Sequence, residues 1–152
     1  MENNIEKTVN VDPESTDNLE SMDDSIEYND IITESFDDLN IKPNLLRGIY
    51  GTGYEVPSAI QKKAIKPLID GRDLIAQAQS GTGKTATFSI GLLERIDETK
   101  HVTQGVILAH TRELALQIES VIKNLSAYMN IVVNLSVGGT MVRDNIDALL
   151  KN

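Results

Sequence analysis

The chain has 152 residues, of which 40% are hydrophobic, and 14 basic against 23 acidic side chains give it a formal net charge of −9. That length and hydrophobic content suit a single domain with its own core, and they exclude a chain that is disordered throughout. The absence of cysteine excludes disulfides, thiolate metal sites and thiol nucleophiles, while the acidic balance argues against a nucleic-acid partner.

Membrane and metal sites also find little support in the sequence. No apolar run approaches the roughly 20 residues that span a bilayer, and the N-terminal Met1-Glu2-Asn3-Asn4 lacks the basic start of a secretory signal. The two histidines, His101 and His110, have no carboxylate cluster beside them in the sequence. We therefore expect an intracellular, cytoplasmic protein with no membrane partner and no metal site built from side chains alone.

The negative charge is concentrated at the N-terminus. Residues 1–40 hold 13 acidic side chains and one basic one, Lys7, for a net charge of −12, and the remainder holds 13 basic and 10 acidic side chains, a net of +3. The first 34 residues contain only scattered apolar side chains, so they cannot bury enough surface to offset chain entropy. We predict a disordered acidic tail over 1–34, either a solvated spacer or a segment that competes with an anionic ligand or recruits a basic partner.

Helical and strand-like blocks alternate from Phe36 onward. Pro43 suits the first turn of a short helix that Gly51 and Gly53 end. The later predicted blocks are a helix at 58–66, a strand at 73–77, a helix at 84–96, a strand at 105–109, a helix at 112–129, a strand at 131–137 and a helix from 142 to the C-terminus. Alternation of strand and helix predicts an α/β fold with a parallel sheet and right-handed crossovers.

A phosphate-binding pattern lies between the first of these strands and its helix. The general pattern is Gly, four residues, then Gly-Lys-Ser/Thr, and here Gly83, Lys84 and Thr85 match it while Ala78 replaces the first glycine. The glycines allow the backbone N–H groups to point inward at the positive end of a helix, which makes an anion site. The alternative is a glycine-containing turn that binds nothing.

Each residue of this loop has a predicted role in the site. Lys84 would reach the β- and γ-phosphates, and the Thr85 hydroxyl would ligate Mg²⁺ that bridges them. We assign these two side chains as catalytic and Thr85 as the metal ligand through ATP. The predicted nucleotide contacts of the loop are Ala78, Gln79, Ser80, Gly81, Thr82, Gly83, Lys84 and Thr85.

The block Gly53–Gln61 precedes the first of these strands and resembles the Q motif of DEAD-box RNA helicases. A carboxamide donates and accepts at once, so Gln61 suits N6 and N7 of adenine and predicts ATP over GTP. The resemblance implies that Tyr54 packs on the adenine and that Phe36, 17 residues before Gly53, is a further aromatic of the nucleotide site. Considered singly, Tyr54 could be a core aromatic and Gln61 a solvent-facing helix residue.

Two later segments resemble further motifs of the same family. Thr111-Arg112-Glu113-Leu114-Ala115 is similar to motif Ia, Gly138-Gly139 to the GG element, and the family's own phosphate loop begins with Ala. Both segments follow predicted strands, where open parallel sheets bind ligands. The resemblance therefore implies RNA-backbone contacts, without base readout, by Thr111, Arg112, Gly138 and Gly139. His110 stands where the family has proline, and Arg112 could instead begin a helix on a solvated surface.

The resemblance covers residues 36–150 and is strongest to family members that act in translation initiation. It implies a RecA-like P-loop NTPase domain over 35–152, with an incomplete parallel sheet and a Q motif at about 36–61, preceded by the disordered acidic tail. The implied function is an ATP-dependent RNA helicase with ATP and Mg²⁺ as cofactors and with RNA and translation-initiation factors as partners.

The family's catalytic acidic segment, Asp-Glu-Ala-Asp, does not occur in the sequence. Phosphoryl transfer depends on such positioning and on electrostatic stabilisation, so we expect this chain to bind ATP without hydrolysing it. The alternatives are a non-catalytic ATP- and RNA-binding regulatory protein, an unrelated P-loop NTPase, and a non-functional gene fragment. A sheet that lacks its later strands also predicts an open edge and a chain that is marginally stable or associates.

Overall fold

The computed structural model of the chain describes residues 8–10 and 33–150. Its elements are strand β1 (Thr8–Asn10), a 3₁₀ helix (Phe36–Leu39), helices α1 (Pro43–Gly51) and α2 (Ala59–Ile69), strand β2 (Ile75–Gln77), and helices α3 (Lys84–Arg95), α4 (Arg112–Leu125) and α5 (Val142–Leu150). All five predicted helices are present. None of the helices in this part of the chain is long and apolar enough to cross a membrane.

The helix starts follow the local chemistry of the sequence. Pro43 occupies the first turn of α1, where its fixed φ suits a helix and its missing N–H costs nothing. The N-terminus of α4 is capped by Thr111, whose hydroxyl oxygen accepts a hydrogen bond from the Leu114 amide at 3.2 Å. Helix α4 ends at Leu125, before the predicted end at Met129, because the chain turns there and the Met129 amide donates to the Ser126 carbonyl at 2.9 Å.

The core lies among the helices. Helix α2 packs against α3, α3 against α4, and α1 against both α3 and α4. The fully buried apolar side chains include Phe36, Leu39, Leu45, Ile49, Ile60, Ile65, Ile90, Leu93 and Leu125. Helices α1 and α4 approach so closely at Gly48 that a Cβ there would lie 1.8 Å from the Leu125 carbonyl oxygen. The helical layer therefore supports the loops that follow β2 and precede α4.

The observed sheet has two strands and includes part of the predicted tail. Strand β1 pairs in parallel with β2, with Thr8 opposite Ile75 and Asn10 opposite Gln77. Residues 8–10 lie within the predicted tail and form this strand, because the edge of β2 offers ladder bonds that these residues take up. Thr33, near the end of the predicted tail, is buried. The other residues of the predicted tail, except Glu34, lie outside the described residues.

The strands predicted at 105–109 and 131–137 do not form. Both segments lack a helix or strand assignment, and within residues 33–150 the one backbone hydrogen bond that involves them is the turn from the Thr140 amide to the Val137 carbonyl at 3.4 Å. A strand requires a second backbone beside it, and no described segment supplies one. Their side chains still alternate, since Ile107 and Val133 pack on the core while Val106 and Leu108 point outward. The predicted three-stranded sheet is thus replaced by one short parallel pair and two extended segments.

Candidate functional site

The phosphate-binding pattern forms the turn between β2 and α3. Gly81 has φ +82° and Gly83 has φ +94°, a left-handed conformation that other L-residues rarely adopt. Gly83 is the N-cap of α3, and its carbonyl accepts a hydrogen bond from the Thr87 amide at 3.0 Å. The loop therefore leads directly into the N-terminus of α3, as the anion-site prediction requires.

Lys84 and Thr85 begin α3 and present the two polar groups that were assigned to the phosphates and the metal. The Lys84 ammonium donates hydrogen bonds to the carbonyls of Ala78 and Gln79, so it lies over the loop. Among residues 33–150, the half-buried Thr85 hydroxyl has no hydrogen-bond partner. A positive charge over the loop and an unpartnered hydroxyl at the helix start fit a magnesium-bound polyphosphate.

Gln61 lies on α2 with its carboxamide against the phosphate loop. The side chain is 2% exposed, and its Oε1 accepts a hydrogen bond from the Ser58 amide at 2.7 Å. A Cβ at Gly83 would lie only 2.8 Å from Gln61 Nε2, and no atom of the described part of the chain accepts a hydrogen bond from that nitrogen. The fold thus joins the Q block to the phosphate loop and leaves one Gln61 donor for a ligand.

Ser58 joins the same two segments, and the sequence analysis did not assign it. Its hydroxyl donates to the Thr82 carbonyl at 2.8 Å, so the start of α2 is fixed to the loop. The signal was present, because Ser-x-x-Gln is the spacing of a capping box, in which the glutamine accepts from the serine amide. We regard Ser58 as a positioning residue of this site.

The two aromatics of the Q block differ in their surroundings. Tyr54 is half-buried beside the core. Phe36 is 0% exposed and packs edge-on against Tyr50, with ring centroids 6.3 Å apart. The Ser35 amide donates to the Asp38 carboxylate at 2.9 Å at the start of the 3₁₀ helix that carries Phe36 into the core, and the place of Phe36 in the nucleotide site stays a prediction.

The four predicted RNA-contact residues lie together where the start of α4 meets the two-glycine turn before α5. The Arg112 Nη1 donates to the Gly138 carbonyl at 2.8 Å, and a Cβ at Gly139 would lie 3.2 Å from the same nitrogen. Thr111 caps α4 immediately before Arg112. The exposed guanidinium at a helix N-terminus beside a two-glycine turn is a surface that suits a phosphate backbone.

A family model described as DEAD/DEAH box helicase matches residues 58–152. That match covers more than half of the chain, and the chain belongs to this family. The RecA-like α/β fold is confirmed by the solved structures that it resembles.

The chain is similar to proteins named ATP-dependent RNA helicase eIF4A. It is 57% identical to that of Scheffersomyces stipitis over 136 residues, which cover 88% of this chain and 34% of that protein. It is 60% identical to that of Meyerozyma guilliermondii over 125 residues, which cover 82% of this chain and 32% of that protein. The chain therefore spans about a third of these relatives and resembles their N-terminal portion.

Solved structures of DEAD-box proteins also resemble this chain over about three quarters of its length. A DEAD box protein from the hyperthermophile Methanococcus jannaschii superposes with a TM-score of 0.72 and 36% identity, over 76% of this chain and 32% of that one. Dbp5 of S. cerevisiae bound to RNA and ADP BeF3 gives a TM-score of 0.63 and 37% identity, over 72% of this chain and 30% of that one.

Proposed function

We propose that this chain binds ATP and the RNA backbone as the N-terminal part of an ATP-dependent RNA helicase that acts in translation initiation. The observation that supports the proposal is the closeness of the Gln61 carboxamide to Gly83, since a Cβ at Gly83 would lie 2.8 Å from Gln61 Nε2. The similarity to proteins named eIF4A supports the translation role, cytoplasmic action and initiation factors as partners.

The base would be chosen by Gln61. Its carbonyl oxygen accepts from the Ser58 amide and has a second lone pair for the N6 amino group, while its free Nε2 can donate to N7. Guanine presents an acceptor where adenine presents N6–H₂, so it would face the Gln61 carbonyl oxygen unfavourably. Tyr54 supplies the aromatic surface beside this edge.

The triphosphate would be held by the loop and the start of α3. The backbone N–H groups of Gly81 to Lys84 would donate hydrogen bonds to phosphate oxygens. The Lys84 ammonium, which now donates to the carbonyls of Ala78 and Gln79, would donate to the β- and γ-phosphates instead. Bound Mg²⁺ neutralises charge on those phosphates, and Thr85 is the side chain that would hold it. The same residues position the nucleotide without moving any proton, so binding needs none of the missing acidic side chains.

Equilibrium binding of magnesium-ATP, combined with a hydrolysis assay, tests the proposal. We expect binding by the 152-residue chain, loss of binding on Lys84→Ala, and no RNA-stimulated hydrolysis. Lys62→Ala on α2 is a matched control, because Lys62 lies on the same helix as Gln61 and is exposed. Unchanged ATP binding by Lys84→Ala would contradict the assigned site, and hydrolysis by the chain would contradict the expectation of binding alone.

RNA binding would use the cluster formed by Thr111, Arg112, Gly138 and Gly139. Dbp5 provides a relative whose structure contains RNA, which supports this role for the similar chain. We expect Arg112→Ala to weaken binding of polyuridine and of polyadenosine by about the same factor and to reduce the salt slope by about 1, because Arg112 would contact phosphate and not the bases. Salt titrations monitored by fluorescence anisotropy measure both quantities, and an unchanged slope would exclude a phosphate contact by Arg112.

A further inference from the structure

His110 directly precedes Thr111, the first residue of the proposed RNA contact. Along the segment that leads to it, Ile107 and Ala109 pack on the core, whereas Leu108 and His110 are exposed. Side chains alternate in this way when the backbone is extended. The imidazole therefore lies on the outer side of the segment.

The imidazole leaves the chain on the same side as the Arg112 guanidinium. Thr111 between them has an extended backbone, with φ −133° and ψ 155°, and the two neighbours of an extended residue share one face. Two residues of extended chain span roughly 6.6 Å, so the two side chains can reach adjacent phosphates of one strand. Arg112 donates to the Gly138 carbonyl at 2.8 Å, which fixes the guanidinium within this pair.

Positive charge accumulates at this point without a carboxylate that neutralises it. The N-terminus of α4 carries the positive end of the helix dipole, and Arg112 adds a full charge. In the part of the chain from 33 to 150, neither Arg112 nor His110 forms an ion pair, although Glu113 lies in the same turn. The imidazole also makes no hydrogen bond within those residues. Converging positive groups that remain unneutralised favour an anion from outside the chain.

We propose that His110 is a further RNA-contacting residue, whose protonated imidazole binds a backbone phosphate next to the one held by Arg112. The inference rests on the proposed RNA-binding role of Arg112 and its neighbours. A protonated imidazole donates from both ring nitrogens, and its charge strengthens a hydrogen bond to a phosphate oxygen. Histidine normally changes charge between pH 5 and 8, so RNA binding by this chain takes up a proton from water and tightens as the pH falls.

The other charged groups on the two helices that meet here keep their charge across this pH range. They are Arg112 and Glu113 on α4 and Arg143 and Asp144 at the start of α5, and guanidinium and carboxyl groups normally titrate outside it. The phosphodiester and uridine do not change charge there either. The second histidine of the chain, His101, is exposed in the loop after α3 and provides a matched control.

Fluorescence anisotropy with polyuridine at about pH 5.5 and about pH 8, across the titration range of histidine, tests the proposal. For the natural 152-residue chain, the dissociation constant should be about fivefold lower at the acidic pH, the upper range for one exposed ionic contact. The salt slope should be larger there by about 0.7, the value for one phosphate of a single strand. His110→Gln should remove both changes, because glutamine stays neutral, whereas His101→Gln should keep them. His110→Lys should bind at the alkaline pH as tightly as the natural chain binds at the acidic one.

The outcomes separate this inference from the proposed function. Binding that Arg112→Ala weakens, but that responds to pH equally in the natural chain and in His110→Gln, contradicts the phosphate contact of His110 alone. An equal loss of affinity in His110→Gln at both pH values, or no gain in His110→Lys, indicates stacking or a structural role and also overturns it. Absence of polyuridine binding at both pH values overturns the RNA role of Arg112 as well. Circular dichroism at the two pH values checks that each variant is folded.

Discussion

At the residue scale, the site depends on which hydrogen bonds the two polar atoms of the Gln61 carboxamide already make within the protein. Its Oε1 is shared with the Ser58 amide at 2.7 Å, while its Nε2 has no acceptor in residues 33–150. The pairing with Ser58 holds the carboxamide in one orientation, so the base meets a fixed donor and a fixed acceptor. Preorganised polar groups of this kind discriminate more sharply than free side chains because they lose less conformational freedom on binding.

Gln61→Glu separates the two functions of this side chain. A carboxylate still accepts from the Ser58 amide and from N6 of adenine, but it cannot donate to N7. We expect the affinities for ATP and GTP both to fall, because N7 is an acceptor in both bases, while the ratio of ATP to GTP affinity is retained by the oxygen that still faces N6 of adenine or O6 of guanine. Titration calorimetry with both nucleotides measures the two affinities and their ratio.

Gln117→Glu is the matched control, because Gln117 is exposed on α4, away from the loop. It should leave both affinities unchanged. A ratio of ATP to GTP affinity that falls in Gln61→Glu would show that the Gln61 oxygen is not the group that reads N6.

Among the described glycines, Gly48 has the least space for an added side chain. A Cβ there would lie 1.8 Å from the Leu125 carbonyl oxygen, whereas at Gly51 of the same helix the nearest atom would be 3.6 Å away. We expect Gly48→Ala to cost about 1–3 kcal/mol of unfolding free energy or more, because α1 must move away from α4. Urea denaturation measures it, and Gly51→Ala should cost much less. Equal midpoints for the two variants would contradict the close approach of the helices.

At the scale of elements, the turn between α3 and the first extended segment is held by Asp97. Its carboxylate accepts from the Thr99 amide at 3.0 Å and from the Thr99 hydroxyl at 2.7 Å, and Lys100 lies 3.1 Å away. The Thr99 hydroxyl and amide, followed by Lys100, lower the pKa of Asp97 from 3.8 to about 2. The turn is therefore stabilised by the ionised form.

This lowered pKa determines the pH at which the stabilisation disappears. A carboxyl group whose pKa is lower in the folded state stabilises fully above its ordinary value, 3.8, and loses that contribution as the pH falls through about 2. We expect Asp97→Asn to flatten the stability curve in this window. Chemical denaturation as a function of pH measures the effect, and parallel curves for the natural and variant chains would contradict it.

Elements were predicted from the sequence where their cause is local. The start of α1 at Pro43 and the cap of α4 at Thr111 depend on neighbouring residues, and so does the glycine-rich loop. The segment 131–137 was predicted as a strand and is not one. The alternation of its apolar side chains is visible in the sequence, but strand formation also depends on a second backbone beside it. The burial of Phe36 is not visible in the sequence for a similar reason, since only the packed core shows that its ring is covered. The capping box of Ser58 with Gln61 is local and was readable from the sequence, whereas the bond from Ser58 to Thr82 spans the fold.

At the scale of the whole molecule, charge is divided between two regions of opposite sign. Residues 1–34 contain 11 acidic side chains and one basic one, while 35–152 contain 13 basic and 12 acidic ones. The overall charge of −9 therefore does not describe the surface around Arg112. We expect weak, salt-sensitive RNA binding by the full chain and tighter binding after deletion of residues 1–34, because RNA is no longer repelled.

Anisotropy titrations with polyuridine at several salt concentrations compare the two chains. The gain from deletion should shrink as salt screens the tail, and circular dichroism must show that the deleted chain keeps its helices. Salt-independent binding, or no gain on deletion, would contradict an electrostatic role for the N-terminal residues.

Helix α2 and the phosphate loop together would form one adenine-nucleotide site. The most direct test is the affinity of the unmodified 152-residue chain for magnesium-ATP relative to magnesium-GTP, measured by titration calorimetry. Binding of ATP about tenfold or more tighter than GTP is expected from a two-bond contact with Gln61. Equal affinities, or tighter binding of GTP, would show that the loop holds phosphates and that Gln61 does not read the base.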